Sequence, residues 1–229
     1  MIKKKILFFA RYGDIRSKKI LTLLKKKFNY VKVCWSEFKG QKIPSNIYTD
    51  SYDFIISYRS YFILKDRLLN KAKLAINFHP GPPDFRGIGC LNFALLNNSS
   101  KYGATCHLIN NRIDSGKIIK SVFFKIKKNS SLKSVLYKTH AEMFKLAKDV
   151  ISNINDKKYI KKCIKKSKKY KWSKKYYKQS NLDEIYKLNL DYSKNQMKNI
   201  LRATLYKHYY PYFVINKEEI FLKKNYEKI

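Results

Sequence analysis

An α/β fold built on a mostly parallel sheet follows from three observations on this chain of 229 residues. Short apolar runs alternate with stretches of helical periodicity from the start to about position 154. The runs at Lys4–Ala10 and Leu74–Phe78 are nearly continuous, as in strands covered on both faces. One of them ends in His79-Pro-Gly-Pro-Pro-Asp-Phe-Arg-Gly87, a loop dense in residues that cannot continue regular structure. Strands joined through helices require crossovers, so the expectation is a mostly parallel sheet covered by helices on both faces.

The elements follow in order. Lys4–Ala10 is the first predicted strand, followed by Arg-Tyr-Gly-Asp and a helix from Ile15 to Phe28 carrying Ile20, Leu23, Leu24 and Phe28 at helical spacing. Tyr30–Trp35 and Asp53–Tyr58 supply two further strands. Residues 62–72 read as a helix with Ile63, Leu64, Leu68 and Leu69 on one face, and Leu74–Phe78 as the fourth strand. Beyond the Pro-rich loop come a short helix at about 88–97 and strands near Gly103–Ile109 and Lys117–Ile126, separated by Asn110-Asn-Arg-Ile-Asp-Ser-Gly116. A long helix from about Ser131 to Ile154 opens on a serine N-cap and carries Val135, Phe144, Leu146 and Val150.

Residues 157–178 then hold 12 Lys in 22 positions, interleaved with Tyr170, Trp172, Tyr176 and Tyr177. Periodicity fades there, which sets the boundaries. The expected division is a main domain over 1–155, a Lys-rich linker over 156–180 and a small C-terminal region over 181–229. The last holds a helix around 193–204 and a hairpin of Tyr212–Asn216 and Glu219–Leu222.

A hydrophobic content of 45 % supports a real core and excludes wholesale disorder. The net charge is +35, with 44 Lys and 7 Arg against 16 acidic residues. A polyanionic partner is one explanation. Codon background is the other: Lys, Asn, Ile, Tyr and Phe share AT-rich codons, and Lys lacks the planar fork that phosphate recognition favours. No run reaches the ~18 apolar residues that span a bilayer. The start, Met1-Ile-Lys-Lys-Lys-Ile-Leu-Phe-Phe-Ala10, opens like a secretory signal, but its apolar stretch stops at Arg11, too short for an h-region of ~7–15 residues. Cys34, Cys90, Cys106 and Cys163 are widely spaced without a Cys-x-x-Cys pair, which argues against a zinc site or a disulfide framework. A cytoplasmic location is expected.

Three polar residues mark a candidate site. Strand alternation points Asn77 and His79 to one side and Phe78 to the other, just where ligands bind in open α/β sheets. Asp114 lies in a later inter-strand loop, ahead of Ser115-Gly116. Asn offers a neutral donor for an oxyanion, His relays protons near neutral pH, and Asp fixes its tautomer. The set suits direct attack of an amine on a carbonyl; local hydrogen bonding at a strand end and a turn is the plainer reading of the same residues. His107, inside a strand, reads as a structural, hydrogen-bonded histidine, while His140 and His208 show no partner pattern. Arg86 either faces substrate phosphates or caps its loop. Tyr209, Tyr210, Tyr212 and Phe213 either stack on a base or fill a dimer or core contact.

The stretch Ile76-Asn-Phe-His-Pro-Gly-Pro-Pro-Asp-Phe-Arg-Gly87 resembles the signature loop of formyltetrahydrofolate-dependent formyltransferases. Gly103-Ala-Thr-Cys-His107 and Ile113-Asp-Ser-Gly-Lys-Ile118 match the same family's second signature in order and spacing. The resemblance covers about residues 1–150, and Arg202-Ala203 looks like the tail of several members. It implies a Rossmann-like catalytic domain of an N-formyltransferase that uses 10-formyltetrahydrofolate as donor and no metal. It also implies a catalytic trio in which His79 handles the amine proton, Asn77 holds the oxyanion and Asp114 tunes His79. Tyr58, Arg59, Tyr61, Phe62, Ile63 and Asp114 are implied to line the pterin pocket, largely through backbone. Arg11, Pro80, Gly81 and Arg86 are implied to contact the substrate.

Within that family, Phe9-Ala-Arg-Tyr-Gly-Asp-Ile-Arg16 has one Gly and does not resemble the phosphate loop of glycinamide ribonucleotide formyltransferases. Methionyl-tRNA formyltransferases append a five-stranded barrel that the segment after the Lys-rich stretch leaves little room for. They remain the alternative, together with a non-catalytic polybasic relative that binds RNA or a membrane surface. Pro-Gly-Pro-Pro after His79 looks like the sugar nucleotide N-formyltransferase version of the loop. The implied substrate is a nucleotide-linked amino sugar, such as a dTDP-4-amino-4,6-dideoxyhexose for O-antigen. A homodimer through the C-terminal hairpin is implied as well, with no membrane or nucleic-acid partner.

Overall fold

Ile6, Leu7, Phe8, Phe9 and Ala10 have no exposed surface, which requires a strand covered on both faces. In the computed structural model, which describes residues 1–207 and 209–222, they form the middle of β1 (Ile2–Arg11). The chain continues through α1 (Ile15–Lys27), β2 (Phe28–Ser36), β3 (Tyr52–Tyr58), α2 (Asp66–Leu69) and β4 (Ala72–His79). Next come β5 (Arg86–Gly87), α3 (Cys90–Leu96), β6 (Lys101–Leu108), β7 (Ile118–Lys125) and α4 (Leu132–Asn153). The remainder is α5 (Lys157–Ser167), β8 (Tyr176–Tyr177), α6 (Gln179–Tyr186), α7 (Lys194–Thr204), β9 (Tyr212–Ile215) and β10 (Glu218–Phe221).

The main sheet has the order β2-β1-β3-β4-β6-β7. The first four strands are parallel, β6 adds antiparallel to β4, and β7 adds antiparallel to β6. This is the Rossmann-like, mostly parallel α/β architecture that the sequence predicts. Ile6, Phe8, Ala10, Ile56 and Phe78 pack beneath α1 and α4 on one face. Leu7, Phe9, Ile55, Phe62, Leu64 and Leu68 form the core of the other. Asp14 caps α1 by accepting from the Ser17 N–H at 2.7 Å, which fixes the turn out of β1.

Two expectations require correction. The helix at 62–72 shrinks to α2, because Phe62 and Leu64 are buried while Ile63 between them is 62 % exposed. That is a period of two, so the residues before α2 are not helical. The Lys-rich stretch 156–180 is structured as well: α5 buries Ile160 and packs Tyr159, Cys163 and Ile164 against the main core, turning its lysines outward. Farther on, β8 pairs parallel with β5, and Tyr177 stacks on Phe93 at 3.9 Å. The Ile88 N–H also donates to the Tyr177 carbonyl at 2.9 Å.

The C-terminal elements dock on the same body. Arg202 of α7 donates to the Leu95 carbonyl at 2.6 Å and to Asn98 Oδ1 at 2.9 Å, and Asn92 donates to the Ala203 carbonyl at 2.7 Å. The hairpin β9–β10 turns through Asn216 and Lys217, both at positive φ, as a tight hairpin requires. His208 lies outside the described residues.

If residues 172–177 are integral to the fold, Tyr177→Ala costs about 3 kcal/mol or more in urea unfolding, the scale of losing a large buried ring. A loss below about 0.5 kcal/mol is what a surface residue shows, and it contradicts this packing.

Candidate active site

The site forms where β4 runs out. Asn77 and His79 leave its end on one side, while Phe78 turns into the core against Tyr58. Antiparallel pairing of β4 with β6 sets Asn77 directly opposite His107, so these two side chains share a face. The loop between β6 and β7 brings Asp114 to the same place, with its backbone in the left-handed region at φ 45°. His79, His107 and Asp114 are all more than nine-tenths buried.

The carboxylate of Asp114 is the hub. Its Oδ2 lies 3.2 Å from His79 Nδ1 and accepts the Gly87 N–H at 3.2 Å. Its Oδ1 lies 3.4 Å from His107 Nε2. Burial alone would push the Asp114 pKa up; His79, His107 and the Gly87 N–H outweigh it and hold the group at about 2. His107 Nδ1 lies 2.8 Å from the Leu108 carbonyl and its Nε2 lies 3.2 Å from Asn77 Nδ2, so the tautomer decides whether Nε2 donates to Asp114 or accepts from Asn77. His79 Nε2 lies 2.9 Å from the Phe85 carbonyl, so both of its ring nitrogens face acceptors.

A cleft of about 750 Å³ opens over this cluster, within the usual size of a small-molecule site. Asn77, His79, His107 and Asp114 line its centre. Over one sheet face it is lined by Tyr61, Phe62, Ile63, Leu64 and Ile109, a largely apolar arm. Over the other it is lined by Arg16, Tyr137, His140, Lys207 and Tyr209, while Arg11 stands between the two with its guanidinium over the Tyr61 ring at 4.1 Å. Arg59 also lines it, but its charge is met by Asp14 Oδ1 at 2.5 Å. His140 Nδ1 is buried without a hydrogen-bond partner. Burial, and after it Arg59, Arg16 and Arg11, push the His140 pKa down to about 3 against an opposing Asp14. The positive charge of this arm therefore comes from its arginines and Lys207.

Asn77, His79 and Asp114 thus come together as a cluster. Arg11, Arg59, Tyr61, Phe62, Ile63 and Pro80 line the cleft as expected residues of its wall. Three others do not. Tyr58 is wholly buried in the core, with its hydroxyl unpartnered. Gly81 gives room to the His79 ring instead, since a Cβ there would sit 2.6 Å from His79 Nε2. Arg86 ties backbone, donating to the Ser173 carbonyl at 3.3 Å and the Ile113 carbonyl at 2.9 Å, which resolves its two readings in favour of the loop. Sequence reasoning missed Arg16, Tyr137 and Lys207, and left Tyr209 open between stacking and packing. It also missed Trp172, whose ring stands edge-on to His107 at 5.1 Å. Among the described residues, no group of three or more His, Cys, Asp or Glu stands where it could hold a metal. No described helix is long and apolar enough to cross a membrane.

An open α/β sheet with a polar trio in the crevice outside its strand ends defines a ligand-binding site. More specifically, residues 19–151 match the family described as formyl transferase, and the chain belongs to that family. Over 148 residues it is 29 % identical to the bifunctional polymyxin resistance protein ArnA of Wigglesworthia glossinidia brevipalpis, a match to 63 % of this chain. It spans only 21 % of that relative's length. Several solved structures share the fold. A 4-N formyltransferase from Francisella tularensis superposes with a TM-score of 0.74 at 21 % identity, covering 98 % of this chain and 99 % of its own. A sugar N-formyltransferase from a Shewanella species gives 0.72 at 19 % identity, with 96 % and 97 % covered. An N-formyltransferase from Helicobacter canadensis, solved with folinic acid and dTDP-3-aminofucose, gives 0.68 at 22 %, with 96 % and 86 % covered.

The Asp114 pKa lies below its ordinary value near 3.8, so its stabilising effect is present above that pH and lost as the pH falls through about 2. The difference in unfolding free energy between the native chain and Asp114→Asn is therefore expected to shrink between pH 4 and 2. Urea titrations across that range check it; a difference that grows on acidification contradicts the pairing.

Proposed function

We propose that this chain transfers a formyl group from 10-formyltetrahydrofolate to the amine of a nucleotide-linked amino sugar. The observation that carries the reading is the position of the trio at the junction of two chemically different arms. The arm of Phe62, Ile63, Leu64 and Ile109 suits a flat, mostly apolar ring system, with the backbone of the 58–63 segment free to pair with its polar edge. When bound, the folate supplies the formyl group. The arm of Arg16, Lys207 and Tyr209, with Arg11 at its junction with the first, suits an anionic diphosphate carrying a base.

The chain's own residues then have distinct tasks. The Asn77 amide is placed to donate a hydrogen bond to an oxyanion that develops at the formyl carbon. His79, with its Nδ1–H held by Asp114, takes at Nε2 the proton that the amine loses as its new C–N bond forms, and the new N–H can then donate to the Phe85 carbonyl. Asp114, held ionised, orients the imidazole and stabilises its charged form. The proton is returned to the departing folate nitrogen, so the reaction neither consumes nor releases a net proton.

The finer reading is a dTDP-linked 4-amino-4,6-dideoxyhexose destined for O-antigen, made in the cytoplasm. Its support is the fold shared with a 4-N formyltransferase and with an enzyme solved with dTDP-3-aminofucose. The homodimer contact is assigned to the hairpin, where Val214, Ile215, Ile220 and Phe221 are exposed.

Mass spectrometry of endpoint reactions tests the function. The chain is mixed with 10-formyltetrahydrofolate and a panel of dTDP- and UDP-linked 3- and 4-amino sugars. One sugar is expected to gain a formyl mass, and His79→Ala and Asn77→Ala to lose turnover at least about 100-fold with the fold intact. A formyl gain on methionyl-tRNA alone overturns the substrate. For the basic arm, Arg11→Ala and Arg16→Ala are each expected to raise the nucleotide-sugar KM about tenfold with kcat little changed, the scale of one charge-assisted hydrogen bond. Unchanged KM values place the diphosphate elsewhere.

A further inference from the structure

Trp172 lies in the Lys-rich stretch between α5 and β8, half-buried among exposed lysines. Its indole N–H donates to the Gly116 carbonyl at 2.7 Å, two residues beyond Asp114. Its ring meets two imidazoles edge-on, His107 at 5.1 Å and 87° and His79 at 5.9 Å and 71°. Those are the two rings that flank the Asp114 carboxylate. The next residue is tied to the loop after β4: the Ser173 N–H donates to the Pro83 carbonyl at 2.9 Å, and Arg86 Nη1 donates to the Ser173 carbonyl at 3.3 Å. One short segment therefore clamps both loops that carry the trio, and one side chain touches both histidines. Trp172 does not line the cleft.

We propose that Trp172 is a positioning residue for the formyl transfer: it holds the His79 and His107 rings in register with Asp114 and shields the rear of that carboxylate from water. The proposal rests on the reading of the cleft as a formyl-transfer site. The χ2 torsion of histidine is soft, so a ring anchored at its nitrogens still rocks unless its edge is packed. Edge-to-face contact with an aromatic neighbour supplies that packing. Water reaching Asp114 would compete for its oxygens and weaken their hold on both imidazoles. Because the indole stands behind the reacting groups, its loss is felt in the chemical step and not in substrate binding.

Two measurements test this, one of them without substrate. The chain has only 4 histidines, so ¹⁵N histidine NMR can be assigned by single His→Gln variants. In the native chain His107 is expected as one tautomer, held by its contacts with the Leu108 carbonyl, Asn77 and Asp114. Trp172→Leu is expected to mix that tautomer and broaden the His79 signals while leaving His140 unmoved. In steady-state assays Trp172→Leu is expected to lower kcat about 10- to 100-fold, with both KM values within about twofold, since small misplacements near a reacting centre have effects of this size. Trp172→Phe keeps an aromatic edge and is expected to recover most of that loss; it also decides the matter if Trp172→Leu does not fold. Unchanged His79 and His107 signals, or a kcat loss matched by an equal rise in KM, overturns the proposal. If the native chain forms no product, the formyl-transfer reading fails, and the NMR result still decides whether Trp172 orders the two rings.

Discussion

A buried carboxylate between two imidazoles is the constraint on which the site depends. Removing a carboxylate from water costs several kcal/mol, and only close partners offset it. Asp114 finds three: His79, His107 and the Gly87 N–H. Each arrives from a different element, so the carboxylate keeps its place only while β4, β6 and the loop ending in β5 keep theirs. Gly81 leaves room for the His79 ring, and Gly87, at φ 97°, lies so close to the Tyr177 carbonyl that a Cβ could not fit. The strained backbone of Asp114 itself belongs to the same arrangement, since left-handed conformations of this kind persist only where their surroundings over-determine them.

The distribution of basic residues separates background from function. Of the 7 Arg, Arg11, Arg16, Arg59 and Arg112 line the cleft. Arg86 and Arg202 each donate to two backbone carbonyls that hold loops and helices together. Among the described lysines, Lys207 alone lines that cleft. The planar fork is kept where geometry matters, and the ammonium groups cover the exterior. A charge of +35 therefore says little about a polyanionic partner, and the few arginines say more about the substrate.

Much of this was legible in the sequence, for identifiable reasons. Asn77 and His79 sit at the end of an apolar run, so alternation alone predicts that they point together. The loop carrying Asp114 was marked by Asp-Ser-Gly between two apolar runs. The pairing of Asn77 with His107 was not readable, because it needs the antiparallel register of β4 and β6. Tyr159, Ile160, Cys163 and Ile164 make a helical stripe, yet the density of lysines hid it and the segment read as a linker. Trp172 carried no local signal, since its partners lie far away in the chain. Residues 62–65 misled in the opposite way, their run of apolar side chains suggesting a helix where alternate burial shows extended chain.

Under the proposed function, one cleft holds a folate and an anionic nucleotide at the same time, on either side of Asn77, His79 and Asp114. Isothermal titration with folinic acid, an unreactive formyl-folate, and with dTDP tests it most directly. Each is expected to bind one site per chain, and saturation with one is expected to leave the other's stoichiometry at one. Mutually exclusive binding, or dTDP binding that survives loss of both Arg11 and Arg16, contradicts the two-armed site.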